Sequence, residues 1–416
     1  MEIVQRLASR IFYGWYVVAA AFTVMLLGFA AAYSFSAFFT ELQREFDMSR
    51  AGTALIFSVG GALYFGLGAI SGPLSDRYGP RWICVFGFVV LGAGLGLASI
   101  ASDLTMVYIG FGLGIGVGVG FSYVPAIGAV QPWFTKRRGF ASGLAVSGIG
   151  VGTLLGPIIA SVIIAAFGWR VALASIGTVV MVAGIAAALV LDNKPERYGS
   201  AQSRSSASAA APDDSFTLKQ ALRTKPFWLL YLSAACLSFA LFVPFVHLVP
   251  YALDHSLSAR SGALLIGMVG IGSTVGRFLV GALADRLGRL NVFVMCFVGV
   301  ACTFFLWLLS AEFWLLGLFA LTFGSFYGGF VALLPALTVD YFGTRAAAGT
   351  IGVLYSSVGI GTLLGPPFAG FIFDEFSSYA YAIVAGELMA CVAVAIAMCL
   401  PEPQQHTNRA RAVGAS

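Results

Sequence analysis

Gly72-Pro73-Leu74-Ser75-Asp76-Arg77-Tyr78-Gly79 returns later in the chain as Gly281-Ala282-Leu283-Ala284-Asp285-Arg286-Leu287-Gly288, a shift of 281 − 72 = 209 residues. A second run, Val151-Gly152-Thr153-Leu154-Leu155-Gly156-Pro157, returns as Ile360-Gly361-Thr362-Leu363-Leu364-Gly365-Pro366, and 360 − 151 is again 209. Two independent matches at one offset mark an internal duplication. Both copies lie in long apolar helical segments, so the duplicated object is a membrane protein of two like halves, the construction of many secondary transporters.

Composition agrees with a bilayer as solvent. Of 416 residues 59% are hydrophobic and only 10% charged, and 51 are glycine, too apolar a mixture for a soluble domain. A helix needs about 20 apolar residues to cross roughly 30 Å of hydrocarbon. Twelve such stretches are expected, near 12–39, 52–73, 81–101, 105–132, 138–166, 169–191, 226–252, 261–283, 290–310, 313–339, 346–373 and 379–400. The expected fold is therefore an all-α membrane protein of twelve transmembrane helices in two pseudo-symmetric halves of six. Residues 1–191 form the first half, 192–225 a linker, 226–400 the second half and 401–416 a tail. The linker reading rests on Ser200-Ala201-Gln202-Ser203-Arg204-Ser205-Ser206-Ala207-Ser208, which has no apolar face to bury. Phe216 to Lys225 could add a short interfacial helix.

Basic residues set the expected orientation. Of 23 Lys and Arg, eighteen fall at the termini, the linker and the other connections on that side; four, Arg44, Arg50, Arg170 and Arg260, fall on the opposite side. The positive-inside rule places both termini in the cytoplasm. The first apolar segment is too long for a cleaved signal and runs on into further spans, so a multi-pass protein that stays whole in the membrane is expected. The net charge of +5 follows from this topology and gives no reason to expect nucleic acid. The six cysteines lie in or beside spans without metal-ligand spacing, so neither a metal site nor a disulfide is expected. The run Gly110-x-Gly112-x-Gly114-x-Gly116-x-Gly118-x-Gly120 has no flanking strand and no Lys-Ser/Thr, and is read as close helix packing, not a nucleotide loop. No His-Glu-x-x-His, paired Asp or Ser/His constellation within the spans suggests an enzyme, and no cofactor is implied beyond a proton gradient as driving force.

The repeated Asp76-Arg77 and Asp285-Arg286 elements each join the second and third spans of a half. Charges at helix ends flanked by glycines can be remade in a conformational change, so these four are read as switch residues. With Gly-x-Leu-x-Asp-Arg-x-Gly-x-Arg at 72–81 on the page, the chain resembles the major facilitator superfamily over essentially its whole length. Tyr13-Gly14-Trp15, the run from Trp133 to Ala145 (Trp133-Phe134-Thr135-Lys136-Arg137-Arg138-Gly139), and Val243-Pro244-Phe245-Val246-His247-Leu248-Val249-Pro250 resemble the monocarboxylate and oxalate/formate branch.

Independently of that resemblance, Arg277 is the one basic residue that no loop can claim. A charge inside a span costs about 2.5–3.5 kcal/mol on insertion scales and persists where it meets water or a partner. Its repeat partner is Gly68, so it is no part of the shared scaffold, and a guanidinium fork is the natural receptor for a carboxylate. The resemblance implies the same role for an arginine in span eight. A structural pairing with Glu387 or a carbonyl is the competing reading. Ser273 stands where animal monocarboxylate transporters carry Asp, 12–39 lacks their Lys, and 346–373 lacks the basic residue of the oxalate/formate type. One fixed positive charge suits a monoanion. Tyr33, Tyr123, Tyr327 and Tyr355 are candidate hydrogen-bond partners in cavity-lining helices. His247, between Pro244 and Pro250, is a candidate for both substrate binding and proton coupling; Glu387 is a second proton candidate. The resulting expectation is a secondary transporter of a small, lactate- or pyruvate-like monocarboxylate, coupled to H+ and working by alternating access as a monomer. The alternatives are an anion exchanger of the oxalate/formate type or an efflux pump for amphipathic drugs.

Overall fold

The computed structural model describes residues 12–134, 138–194, 216–309, 311–343 and 347–403. Twelve helices among them are long and apolar enough to span a bilayer: Tyr13–Glu45, Arg50–Ser75, Pro80–Ser99, Leu104–Trp133, Ala141–Phe167 and Trp169–Val190, then Lys225–Asp254, Ala259–Ala284, Arg289–Leu309, Phe313–Phe342, Gly349–Phe376 and Ala380–Met398. They are called spans one to twelve below. The expected spans are recovered with ends moved by a few residues, and the described chain contains no strand. Most of the expected linker lies outside the described residues. Its described end, from Phe216, holds one helical turn, Leu218–Ala221, opened by a capping box between Thr217 and Gln220.

The duplication seen in sequence is written into the backbone. Gly79 (φ 89°, ψ 147°) ends span two's helix and Gly288 (φ 88°, ψ 140°) ends span eight's, and 288 − 79 = 209. Only glycine tolerates this region without strain, which is why both copies keep it. The pattern extends to places where sequence identity is lost. Asp47 and Ser256 share a positive φ at the same offset, as do Gly168 and Ser377. The N-caps Ser49 and Ser258 are a further pair, accepting from the amides of Gly52 and Ser261.

Glycines set how closely the spans approach. Gly148, Gly152 and Gly156 of span five face the backbone of span one at Phe22, Leu26 and Ala30. In span four, Gly110 and Gly114 meet Gly94 of span three while Gly112 and Gly116 meet span two at Ile56 and Gly60, so the glycine run does serve helix packing. In the second half, Gly272 and Gly276 of span eight meet the backbone of Leu321 and Ser325 of span ten, and Gly324 and Gly328 reciprocate against Val269 and Ser273. A Cβ at Gly276 would fall on the Ser325 main chain, which cannot give way. Gly276→Val is expected to part spans eight and ten at a cost of about 3 kcal/mol, visible as a lowered thermal midpoint and loss of the monodisperse peak in detergent.

The halves meet along two seams. Span two runs beside span eleven from Arg50 and Ala51 at Gly370, past Ala62 at Gly359, to Ala69 at Gly352. Span five runs beside span eight, with Leu154 against Gly267 and Gly150 against Gly270 and Thr274. Spans one and seven are each interrupted, at Ser34 and at Phe242, and their second pieces, Phe35–Glu45 and Val243–Asp254, pack on one another. Around the bundle Trp82, Phe167, Leu279 and Trp314 are exposed, as suits side chains whose surroundings are lipid.

Candidate functional site

Arg277 sits within span eight, beside the seam with span five, and is only 8% exposed. Its Nη1 donates to the carbonyl oxygen of Val146 at 2.8 Å, a bond from the second half to the first. Of its competing sequence readings, the structure therefore shows a carbonyl and not Glu387 as one partner. Nε and Nη2 have none, and the Ser273 Oγ one turn away has none either. A buried guanidinium with two open donors is costly unless an acceptor arrives.

What surrounds it is phenolic. Tyr327, Tyr123, Tyr33 and Tyr355 all act electrostatically on the Arg277 charge. Tyr33 and Tyr327 share a hydrogen bond of 3.0 Å across the halves. Tyr33 stacks on Phe245 with centroids 4.5 Å apart, and Phe245 meets Tyr327 edge-on at 5.2 Å. Tyr123 and Tyr355 meet edge-on at 6.4 Å, again across the halves. Gly324 and Gly328, on either side of Tyr327, let span ten rest on the backbone of span eight at Val269 and Ser273, one turn before Arg277. Between these rings is a cavity of about 20 Å³, lined among others by Phe29, Tyr123, Phe242, Tyr327, Phe330 and Tyr355. It has room for about one water. Of the sequence candidates, then, Arg277, Tyr33, Tyr123, Tyr327 and Tyr355 come together.

His247 is elsewhere. It is fully buried near the far end of span seven, with Nδ1 3.0 Å from the Tyr379 hydroxyl and Nε2 2.8 Å from the Pro366 carbonyl. A carbonyl can only accept, so the network places the proton on Nε2 and leaves Nδ1 to accept from Tyr379. Both nitrogens are engaged with span eleven and its following turn, not with Arg277. The histidine is the inner end of a cluster that sequence reasoning missed. Arg50 holds both oxygens of Asp254, at 2.6 and 2.8 Å, and donates to the Tyr379 hydroxyl at 2.7 Å. The same guanidinium lies 3.7 Å from the Phe373 ring centre, while Asp374 accepts from the amides of Arg50 and Ala51 at 2.9 and 3.0 Å. One arginine of the first half thus fastens two spans and a turn of the second.

The duplication explains why the fastening crosses between halves. Within the first half, Glu45 pairs with Arg170 at 2.8 Å. Adding 209 to each gives Asp254 and Tyr379: the acid is kept, but tyrosine stands in the arginine's place. Asp254 takes its cation from Arg50 instead. Comparing the repeats position by position would have revealed the exchange.

The other candidates separate from the site. Glu387 is half-buried on span twelve, which packs on spans seven, nine and eleven, and its neighbour Gly386 abuts Phe304. Arg77 and Arg286 are exposed in the last turns of their helices, and Arg77 lies 5.3 Å from the Tyr78 ring centre. The side chains of Asp76 and Asp285 lie outside the described residues. Tyr64 of span two, not singled out in the sequence, does belong with the ring of phenols: it acts electrostatically on Tyr33 and is acted on by Tyr327 and Tyr123. Among the described residues no group of three or more His, Cys, Asp or Glu could hold a metal.

Comparison with known proteins places this geometry. The family model described as Major Facilitator Superfamily matches residues 20–308 and 234–415. Monocarboxylate transporter 12 of Rattus norvegicus is 30% identical over 398 residues, covering 89% of this chain and 82% of that protein. Monocarboxylate transporter 11 of Homo sapiens is 30% identical over 382 residues, covering 88% and 78%. Among solved structures, a bacterial homolog of the human lysosomal transporter Spinster, in an inward-facing and occupied conformation, aligns over 95% of this chain and 98% of its own with a TM-score of 0.71 at 16% identity. That likeness carries the fold alone. The duplicated Asp-Arg element, the twelve spans in two halves and these matches agree, and the chain belongs to the major facilitator superfamily of membrane transporters.

Proposed function

We propose that the protein carries a small monocarboxylate together with a proton by alternating access, with Arg277 as the carboxylate receptor. The observation that carries this reading is the pair of open donors on Arg277, Nε and Nη2, buried at the meeting of the two halves. They form one edge of the guanidinium and match the two oxygens of a carboxylate, each bond charge-assisted. Tyr33, Tyr123, Tyr327 and Tyr355 supply further hydroxyls, and the Phe29, Phe242 and Phe330 rings an apolar wall for a short carbon chain. Names of relatives by sequence, monocarboxylate transporters 11 and 12, support the substrate class.

The proton is assigned to the substrate's own carboxyl group. His247 is engaged at both nitrogens and Glu387 lies on a different face of the bundle, so neither candidate is brought to Arg277. A carboxylate that takes up a proton loses its charge-assisted hold on the arginine and is released, which couples the two without a second acid. A dianion would leave one charge unmatched on this single guanidinium, which weighs against the oxalate/formate reading. Drug efflux gives the two open donors no task.

In this proposal residues 1–191 and 226–400 are the rocking halves, joined by 192–225 and followed by the 401–416 tail. Both termini are cytoplasmic in a bacterial inner membrane, and the Arg50 cluster closes the outer mouth. The chain acts as a monomer. The test is uptake of radiolabelled L-lactate into proteoliposomes with and without an inward proton gradient. Several-fold stimulation by the gradient, inhibited by unlabelled short acids, is the expected result. Gradient-independent exchange on preloading, or indifference to all short acids, would overturn the symport reading.

A further inference from the structure

We propose that a pocket at the joint of spans two and three, on the side of the chain termini, binds the headgroup of an anionic phospholipid whose acyl chains lie along span three. The pocket, of about 140 Å³, is lined by Arg77 in the last turn of span two's helix, Arg81 and Trp82 at the start of span three, and Asp192 and Lys194 after span six. It has room for a phosphate group and a few waters. None of its three cations forms an ion pair with a described carboxylate. Asp192, buried on the same rim, accepts from the Lys194 amide at 2.8 Å. Arg81 uses only its Nε, on the Leu191 carbonyl at 3.4 Å, which keeps its Nη groups for phosphate oxygens. The site is separate from Arg277 and does not depend on what Arg277 receives.

The rim is held in place before any ligand arrives. The Val190 carbonyl accepts from the Tyr13 hydroxyl at 3.0 Å, that of Leu191 from Arg81, and that of Asp192 from Trp133 Nε1 at 2.7 Å. Spans one, three and four thus fasten the chain leaving span six, and Lys194 with it, against the head of span three. From the pocket, Trp82, Phe86 and Val89 recur at i, i+4 and i+7 and are all exposed, an apolar stripe along one face of span three. An indole at headgroup depth, with basic groups on one side and this stripe on the other, suits a lipid: phosphate on the rim, chains on the stripe. A free phosphate would use the rim and leave the stripe idle. The duplication sets the site apart from the scaffold. Adding 209 takes Arg77 to Arg286, but Arg81 to Leu290, Trp82 to Asn291 and Lys194 to Pro403. At that joint of the second half Arg289 is already paired with Asp340 at 2.6 Å. The arginine common to both loops serves what the repeats share; the two further cations and the indole are the first half's own.

The purified full chain in a neutral detergent is titrated with phosphatidylglycerol, phosphatidylcholine, glycerophosphate or inorganic phosphate while the thermal midpoint is followed, and native mass spectrometry counts the lipid retained. Phosphatidylglycerol is expected to raise the midpoint and to be kept as a bound copy, with little response to the other three. Arg81→Gln combined with Lys194→Gln should weaken its apparent affinity about thirtyfold, near fivefold for each charge. Lys194→Gln alone, a change at an exposed side chain, should weaken it about fivefold. Lys219→Gln combined with Arg223→Gln removes the same charge from exposed positions elsewhere on that side, and should leave the affinity within about twofold. An unchanged affinity in the pocket variants, an equal loss in the control pair, or no preference for phosphatidylglycerol over phosphatidylcholine overturns the site. An equal response to glycerophosphate or inorganic phosphate makes the pocket a phosphate site and overturns the lipid.

Discussion

Arg277→Ala is expected to lower monocarboxylate uptake about a hundredfold or more while leaving the protein folded in the membrane. Truncating one partner of a buried, hydrogen-bonded charge pair costs about 2–5 kcal/mol, and near 3 kcal/mol this is roughly two orders of magnitude in affinity. Without substrate the same residue is a burden, since Nε and Nη2 are buried and open. The single bond to Val146 is what the variant loses. The thermal midpoint should therefore hold or rise as transport falls, a split that a merely structural arginine would not give. Arg277→Lys keeps the charge but not the fork, and should recover only part of the activity. Near-normal transport by Arg277→Ala would remove the receptor assignment; parallel loss of transport and stability would point to a scaffold role.

The second large effect is expected at the Arg50 cluster. Its pair with Asp254 is partly shielded, with side chains 13% and 31% exposed, and its geometry is bidentate, so it exceeds an ordinary surface ion pair. Breaking it also frees the Tyr379 hydroxyl and, through it, His247. Arg50→Ala should shift the population toward a state open at this end and slow the transport cycle about tenfold. Spin labels at Arg44 and Arg260, exposed residues of opposite halves near this end, should then show a longer distance population. Asp254→Ala should act similarly, and the double variant should be far from additive, with a coupling of about 1–2 kcal/mol. Additive effects and an unchanged label distance would mean that the cluster is not a closure.

Much of this architecture is legible in the residues because a bilayer imposes length and hydropathy on every span. The offset of 209 is equally plain, and it proves stronger in the backbone than in the letters: Asp47 and Ser256 share no chemistry but the same left-handed turn. The interruption at Ser34 was not legible, since no glycine or proline stands beside it, whereas the one at Phe242 is marked by Pro244 in the first turn of the following piece. Arg277 announced itself as a charge that no loop could own. The four tyrosines were found by depth in spans expected to line a cavity. Tyr64 shares that depth, but nothing in Gly60-Gly61-Ala62-Leu63-Tyr64 tells which way the ring turns. His247 shows the converse difficulty. Its depth and flanking prolines were read correctly, but its partners come from Pro366 and Tyr379, more than a hundred positions away. Arg50, Asp254 and Asp374 resembled ordinary charges at helix ends, and only the exchange of Arg170 for Tyr379 between repeats distinguishes them.

The narrowness of the central cavity bears on what the membrane loses when no substrate is present. With about 20 Å³ between the rings, the cavity has room for about one water, and the buried Arg277 guanidinium adds a fixed positive charge beside the seam of the halves. Hydronium and metal cations meet both a steric and an electrostatic barrier there. A copy in this conformation is therefore expected to pass no ionic current, which recording from the reconstituted protein in a planar bilayer checks.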